Sequence, residues 1–502
     1  MKIERNFSTI LTDHSILYPN TIYCQKINGR GLSFLELENY VNKCCHFLEE
    51  LGLKPGDILT VNIPNSLSSI VLYIAAIRSG LKMNPAPSSL SENELISHIK
   101  YIETKVLISK HHISQKNLHS NFSSVEFTND DDFMLKIESY STDKINRDIS
   151  PDDIACIYYS SGTTGNSKYV LYSHKNMISL IDSIVHDFKF SENTRHLGVL
   201  PLGHTAITNY QFLPSLYAGS TLFLAENFNS VRASIWKIIE EHDIDYLQVV
   251  PTVLFAMLAT PYDESDYKSN KTLKYVGCGS APLSVESQNE FFERFNVKVA
   301  NLYGLSETGP SHFDNPLLPG WRPGNIGRPL TVNSCKIFDK DMKELEAGEV
   351  GQIGLKGDNI FVGYYKNDAA YKSSFFNDFF LTGDLGYEDN EGKFYFSDRE
   401  KDLIIKGGVN VVPGEIEEVI FKLQEVQSAA VVGVPHRYFG EDIIAFVQKK
   451  QASLTEQQVI DILAENLQPL KRPSKIIFIK EMPVGPSGKI LKRKLREELN
   501  DN

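Results

Sequence analysis

The stretch Tyr158-Tyr159-Ser160-Ser161-Gly162-Thr163-Thr164-Gly165-Asn166-Ser167-Lys168 follows an apolar run from Ile154 to Tyr158 and decides how the chain is read. The run has the length and composition of a strand, and the residues after it are small, so backbone N–H groups can converge on one point. Hydroxyls of Ser160, Ser161, Thr163 and Thr164 add donors, and Lys168 adds a cation. A strand that opens into such a loop reads as a phosphate cradle in an α/β fold. A Ser/Gly-rich surface loop has the same composition. The stretch is not a Walker A loop, which needs Gly before its Lys and Ser or Thr after it; those positions hold Ser167 and Tyr169.

Outward from this loop, strand-like runs at Ile58-Leu59-Thr60-Val61, Lys105-Val106-Leu107-Ile108 and Thr221-Leu222-Phe223-Leu224 alternate with helical patterns. Ser33 and Glu36 form a capping-box pattern ahead of Leu37, Tyr40, Val41, Cys44, Phe47 and Leu51, which share one helix face stopped by Gly52. Past Gly348 the pattern becomes short strands with polar turns, including Asn390-Glu391-Gly392 before Phe394-Tyr395-Phe396. Beyond Arg399 it changes again: a helix opened by Pro413, strands at 429–434 and 443–447, a helix capped by Thr455 and Gln458, and a strand at 476–479. The expected fold is α/β. A large N-terminal domain of layered α/β subdomains plus a β-rich region (1–398) leads through a hinge (399–402) to a small mobile α+β C-terminal domain (403–502).

The 502 residues carry 51 Lys plus Arg against 63 Asp plus Glu, a net charge of -12, which repels polyanions and argues against a nucleic-acid binder. Hydrophobic residues at 42% and charged residues at 23% are those of an ordinary globular protein, which excludes disordered and fibrous classes. Six cysteines, with no C-x-x-C pair, read as buried reduced thiols and not as a disulfide framework or a zinc site. No signal core opens the chain and no stretch reaches the roughly 18 apolar residues of a membrane span, so the expected compartment is the cytoplasm.

With Ser161-Gly162-Thr163-Thr164-Gly165 and Lys168 in place, the loop resembles the phosphate loop of the adenylate-forming superfamily: acyl-CoA synthetases, nonribosomal-peptide adenylation domains and firefly-type luciferases. Ser167 and Tyr169 depart from that family's Pro and Gly. Further motifs follow in the family's order. Tyr303-Gly304-Leu305-Ser306-Glu307 resembles its Tyr-Gly-x-Thr-Glu motif, with Ser306 for Thr; the resemblance implies that Tyr303 stacks on adenine, Ser306 bonds a phosphate and Glu307 holds Mg²⁺. Cys278-Gly279-Ser280-Ala281 resembles the stretch lining the adenine and acyl pockets. Thr382-Gly383-Asp384 resembles the motif whose acid accepts hydrogen bonds from ribose hydroxyls. Asp398-Arg399-Glu400-Lys401-Asp402 resembles the junction motif, with Arg399 on ribose or phosphate, Phe396 beside the nucleotide and Lys401 as the hinge residue.

Gly407 and Gly408 match the glycine loop that reaches the family's active site in its thioester-forming conformation. Pro483-Val484-Gly485-Pro486-Ser487-Gly488-Lys489 resembles the C-terminal loop that carries the catalytic lysine. Lys489 is then expected to bridge the substrate carboxylate and the α-phosphate. Thr163 and Glu307 join it as catalytic residues, while Ser160, Ser161, Gly162, Thr164, Gly165, Lys168 and Gly304 bind nucleotide. Lys492, Arg493, Lys494 and Arg496 read as a solvated basic helix face.

The resemblance implies two half-reactions. A carboxylate attacks the α-phosphate of Mg-ATP to give acyl-AMP and pyrophosphate; the small domain then swings and a thiol displaces AMP. Pro201-Leu202-Gly203-His204-Thr205 resembles the segment bordering the carboxylate pocket. Amino-acid-activating relatives place Asp where Thr205 stands, which disfavours an α-amino acid. Few residues follow Lys489, so a carrier protein, if used, is expected to be separate, and no insertion of the fatty-acyl-AMP ligase kind lies between Arg328 and Gly357. Coenzyme A is therefore the expected acceptor for a small carboxylic acid, with Lys471, Arg472 and Lys475 toward its 3′-phosphate. Transfer to a carrier protein or an amine, and a catalytically silent nucleotide-binding relative, are the alternative readings.

Overall fold

The computed structural model describes residues 6–110, 113, 122–160, 168–268, 270–281, 283–485 and 490–500. The capping box read at Ser33 forms: the Ser33 hydroxyl accepts from the Glu36 N–H at 3.2 Å, and the Glu36 carboxylate accepts from the Ser33 N–H at 2.9 Å. It starts the helix Phe34–Glu50, whose inner stripe includes Leu37, Val41, Cys44 and Phe47. All six cysteines are free thiols, and only Cys335 is not fully buried.

Two large sheets organise the N-terminal part. One runs Arg328–Pro329, Gly309–Phe313, Val299–Leu305, Tyr275–Gly279, Tyr246–Val249, Arg195–Gly198, Thr221–Leu224, Ile22–Lys26 and Gly31–Ser33. The five strands from Val299–Leu305 to Thr221–Leu224 are parallel. The other runs Gly363–Tyr364, Lys168–Ser173, Ile154–Ser160, Lys82–Pro85, Ile58–Asn62, Val106–Ser109 and Ser123–Glu126. Parallel strands covered on both faces read as unbroken apolar runs, and Ile58–Asn62, Val106–Ser109, Tyr246–Val249 and Tyr275–Gly279 are buried at every position. Val106–Ser109 starts one residue later than the run at Lys105, whose side chain pairs with Asp57 at 2.6 Å.

The β-rich region forms a third sheet of Asn333–Phe338, Gly351–Gly357, Phe379–Glu388, Phe375–Phe376 and Phe394–Arg399. Its turn at 389–393 is tied by Asp389, whose carboxylate accepts from the N–H groups of Glu391 and Lys393.

After Arg399 a single tight turn, Glu400–Asp402, leads into a fourth sheet of Val409–Val411, Ile404–Lys406, Gly440–Lys449, Val426–His436 and Lys475–Ile479. The helices Pro413–Phe421 and Glu456–Asn466 cover one face of this sheet with a core around Ile416, Val431 and Leu463. The helix Lys492–Asn500 covers the other through Leu495. Polar contacts join this unit to the rest of the chain: the Gly414 N–H donates to Asp398 at 2.8 Å, Arg496 pairs with Asp402 at 3.0 Å, and Lys450 pairs with Glu290 at 2.6 Å.

The basic run at the C-terminus is not the uniform solvated face its composition implies. Lys492 is drawn inward to Glu417 at 2.9 Å, and Arg496 meets Asp402. Their partners lie about 75 and 94 residues away in sequence, beyond the reach of any local pattern. Arg493 pairs along its own exposed helix with Glu497.

Candidate active site

The C-terminal ends of the parallel strands open into one cleft of about 830 Å³. Arg195–Gly198 delivers Val199 to Pro201, Thr221–Leu224 leads to Asn227 to Asn229, Tyr246–Val249 delivers Val250 to Val253, Tyr275–Gly279 delivers Ser280, and Val299–Leu305 delivers Gly304 to Glu307. Arg195–Gly198 connects to Thr221–Leu224 on one side, and the chain then crosses back to Tyr246–Val249 on the other. Such a reversal leaves a crevice outside the carboxyl ends of the strands, where α/β sheets bind ligands.

One end of the cleft is charged. The strands Ile154–Ser160 and Lys168–Ser173 pair so that Ser160 faces Lys168, which makes the small-residue loop the connection of a hairpin. Gly363–Tyr364 pairs with the outer edge of that hairpin and places Tyr364 beside Lys168. The Tyr364 hydroxyl donates to the Glu307 carboxylate at 2.8 Å and accepts from the Lys168 ammonium at 3.3 Å, and that ammonium also lies 4.5 Å from the Tyr364 ring centre. Burial, then the Glu307 charge, push the Tyr364 phenol well above the ordinary tyrosine range, so it stays a donor. Gly304 backs this group: a Cβ there would sit 2.2 Å from the Gly309 carbonyl oxygen, so only glycine fits. Ser306 lines the cleft beside Glu307, and Ser280 takes a left-handed backbone at φ 74° to turn out of its strand.

Asp384 and Arg399 face each other across adjacent antiparallel strands. The Arg399 guanidinium meets one Asp384 oxygen at 2.6 Å, and the Tyr303 hydroxyl donates to the other at 2.7 Å. Asp384 is wholly buried, whereas Arg399 lines the cleft with Thr382, Gly383, Glu400 and Lys401. Asp384 therefore acts first on Arg399 and Tyr303; it has no surface of its own in the cleft. Val484 and Gly485, from the small C-terminal unit, close this end. Val484 bridges Ile490, and the Leu491 N–H donates to the Pro483 carbonyl at 2.7 Å.

The other end is uncharged. His204 and Thr205 open the short helix Thr205–Ile207, and burial pushes the His204 imidazole down to about 4, so it is neutral at physiological pH. A π-helical turn, Thr208–Phe212, follows and carries Tyr210 to the cleft wall. Such turns concentrate at functional positions. The wall is completed by Phe228 and by Thr252, Val253 and Ala256 of the helix Pro251–Ala259.

The structure thus brings together Lys168, Ser280, Gly304, Ser306, Glu307, Arg399, Lys401, His204 and Thr205. The expected cradle residues Ser161, Gly162, Thr163, Thr164 and Gly165, and the expected catalytic Lys489, lie outside the described residues. Besides Asp384, several expected contacts are not at the cleft surface. Cys278 is fully buried in the core beneath it, Gly279 is backed by the Leu302 carbonyl, Ala281 does not line the cleft, and Phe396 packs toward Tyr303 with ring centres 6.2 Å apart. Tyr303 is likewise buried, its hydroxyl on Asp384. Gly407 and Gly408 form an exposed turn of the small unit with left-handed backbones and do not line the cleft. Lys471, expected to meet a CoA phosphate, is held by Glu415 at 2.7 Å, because the helix starting at Pro413 puts that carboxylate beside it. Tyr364 is the functional residue that the sequence reading missed. Its only signal is an aromatic pair after Gly363, which is indistinguishable from packing.

Comparison with known proteins agrees with this geometry. Residues 16–365 match the family model described as AMP-binding enzyme, and residues 415–489 match the AMP-binding enzyme C-terminal domain. A sulfoacetate–CoA ligase of Cupriavidus necator is 30% identical over 481 residues, covering 93% of this chain and 92% of its own. A long-chain-fatty-acid–CoA ligase of Bacillus subtilis is 29% identical over 550 residues, covering 99% and 95%. The crystal structure of ATP-bound MatB from Rhodopseudomonas palustris is 29% identical and superposes with a TM-score of 0.90 over 99% of both chains; the apo form of that protein gives 0.81.

Proposed function

The chain belongs to the AMP-binding enzyme family, and from that premise we propose that it is an AMP-forming acid–thiol ligase. It activates a carboxylic acid with ATP to an acyl-adenylate, releases pyrophosphate, and passes the acyl group to the thiol of coenzyme A. The observation that carries this reading is a single cleft joining a cationic end, with Lys168, Arg399 and Lys401 beside Glu307, to an uncharged chamber at His204 and Tyr210. The cations suit the phosphates of ATP, and the chamber suits an acyl tail.

The division into residues 1–398, a hinge at 399–402 and 403–502 is part of the same proposal. A tight turn and an interface of polar contacts support it, since such interfaces permit relative motion. Lys489 would enter the cleft from the loop begun by Val484 and Gly485, placing its ammonium between carboxylate and α-phosphate. On rotation about Lys401, Gly407 and Gly408 would replace it and leave room for the thiol's chain. The greater likeness to the ATP-bound form of MatB than to its apo form supports assigning the observed arrangement to the first half-reaction.

One carboxylate fits Mg²⁺, which binds through one or two protein carboxylates plus substrate phosphates. Glu307 would hold it, with Tyr364 fixing one carboxylate oxygen. When bound, the ion offsets charge on the phosphate oxygens. Within this frame Lys168 offsets phosphate charge directly, and the neutral His204 borders the attacking carboxylate without competing as a base. Among the described residues no helix is long and apolar enough to cross a membrane.

The test separates the half-reactions. Acid-dependent pyrophosphate release from ATP, followed by thioester formation with CoA and not with a carrier protein or an amine, is the expected result. Lys489→Ala should abolish adenylation and spare thioester formation from supplied acyl-AMP; equal loss of both overturns the alternation of roles.

A further inference from the structure

The uncharged end of the cleft is specific about what it can hold. Among the described residues, every charged residue that lines the cleft, namely Lys168, Glu307, Arg399, Glu400 and Lys401, comes from the hairpin edge, the Val299–Leu305 strand end or the domain junction. None comes from the ends of Arg195–Gly198, Thr221–Leu224 or Tyr246–Val249, which wall the chamber. The order of strands in the sheet puts these groups at opposite ends, with Tyr275–Gly279 between them. The chamber's polar groups are neutral: Thr205, Asn227, Asn229, Thr252 and the imidazole of His204, which burial keeps unprotonated with a pKa of about 4.

Tyr210 adds a second, independent observation. It is 7% exposed, lines the cleft, and its hydroxyl makes no hydrogen bond with any described residue. Its ring is held by the π-helical turn and by Phe188, with ring centres 6.1 Å apart, so the hydroxyl is a fixed donor on the cleft wall. An apolar tail seated there would leave that hydroxyl dry and unpaired, and a charged tail would be buried with no counter-ion.

We propose that the acid taken by this site is a monocarboxylate whose tail is uncharged and bears a hydrogen-bonding group, a hydroxyl or carbonyl, that pairs with Tyr210. The inference rests on the ligase reading above and narrows its substrate. It also separates this chain from relatives acting on doubly charged acids, such as the sulfoacetate ligase. Tyr210 is a specificity residue; the charged end alone handles the nucleotide.

Pyrophosphate release is measured on two matched series: hexanoate, 6-hydroxyhexanoate and adipate; and 3-phenylpropanoate with its 4-hydroxyphenyl counterpart. In at least one series the hydroxylated acid should exceed its parent by about tenfold or more in kcat/KM, the scale of one buried hydrogen bond, with adipate poorest. Tyr210→Phe, which removes one oxygen and should leave the melting temperature unchanged, should erase the preference by slowing the hydroxylated acid alone. A best rate with adipate or with both parent acids, or a preference that survives Tyr210→Phe, overturns the proposal while leaving the ligase reading intact. Silence with every acid overturns the ligase reading and this one with it.

Discussion

Replacing Tyr364 with Phe deletes one oxygen that two charged groups share. In the intact protein that hydroxyl donates to Glu307 at 2.8 Å and accepts from Lys168 at 3.3 Å. Glu307 is 9% exposed, so water cannot readily take over. A hydrogen bond to a charged group contributes about 1.5–3 kcal/mol, which corresponds to roughly tenfold to a hundredfold in rate if it positions the carboxylate for the transition state. Initial rates of pyrophosphate release across a Mg²⁺ titration should show kcat/KM falling by about that factor, with half-saturation moved to higher Mg²⁺. Because the hydroxyl acts through Glu307, the Glu307→Gln, Tyr364→Phe double variant should lose much less than the product of the two single losses. Full additivity, or a single variant within twofold of the parent protein, refutes the coupling.

Two further outcomes follow from buried charge. Burial holds His196 and His312 at about 3 against an ordinary value of 6.5. Below pH 6.5 the unfolded chain binds protons that the folded chain refuses. Stability is therefore full above pH 6.5 and falls by about 1.4 kcal/mol per pH unit for each histidine, until the folded pKa is reached. Urea unfolding between pH 7 and 5 checks the slope, and a flat profile refutes it. Glu417→Gln removes the 2.9 Å charged partner of Lys492 and leaves only the more distant Asp398 and Asp402, at a cost of about 1.5–3 kcal/mol for a charged hydrogen bond in a partly buried pair. Hydrogen exchange should then accelerate in 413–421 and 492–500; unchanged protection there would show the pair to be idle.

Local chemistry was the legible part of this chain. Capping boxes at Ser33 and Thr455 act within three residues, so spacing alone locates the starts of two helices. Apolar runs locate the buried parallel strands because both faces are covered, and the charged Lys105 stands just outside its strand, paired with Asp57. The site is legible where a motif lies in one stretch, as at Gly304, Ser306 and Glu307. It is not legible where a contact is made by a distant partner. Tyr364 reaches Glu307 across 57 residues, Lys471 is taken by Glu415 across 56, and Lys492 turns inward to Glu417. Cys278 shows the converse: it lies within a pocket-like motif, but it belongs to a central strand covered on both faces, so its side chain is core.

The tie between Val484 and Ile490 is held from behind by the helix Lys492–Asn500, which is anchored through the fully buried Leu495. That helix contributes no residue to the cleft, and a reader scanning for motifs would call it a tail. It is instead the backing against which Ile490 and Met482 pack. A stop codon just before position 492 would leave every described cleft residue encoded and the Val484–Ile490 tie without its backing. Alleles truncated there should be scored as loss of function, and affinity tags for this protein belong at the N-terminus.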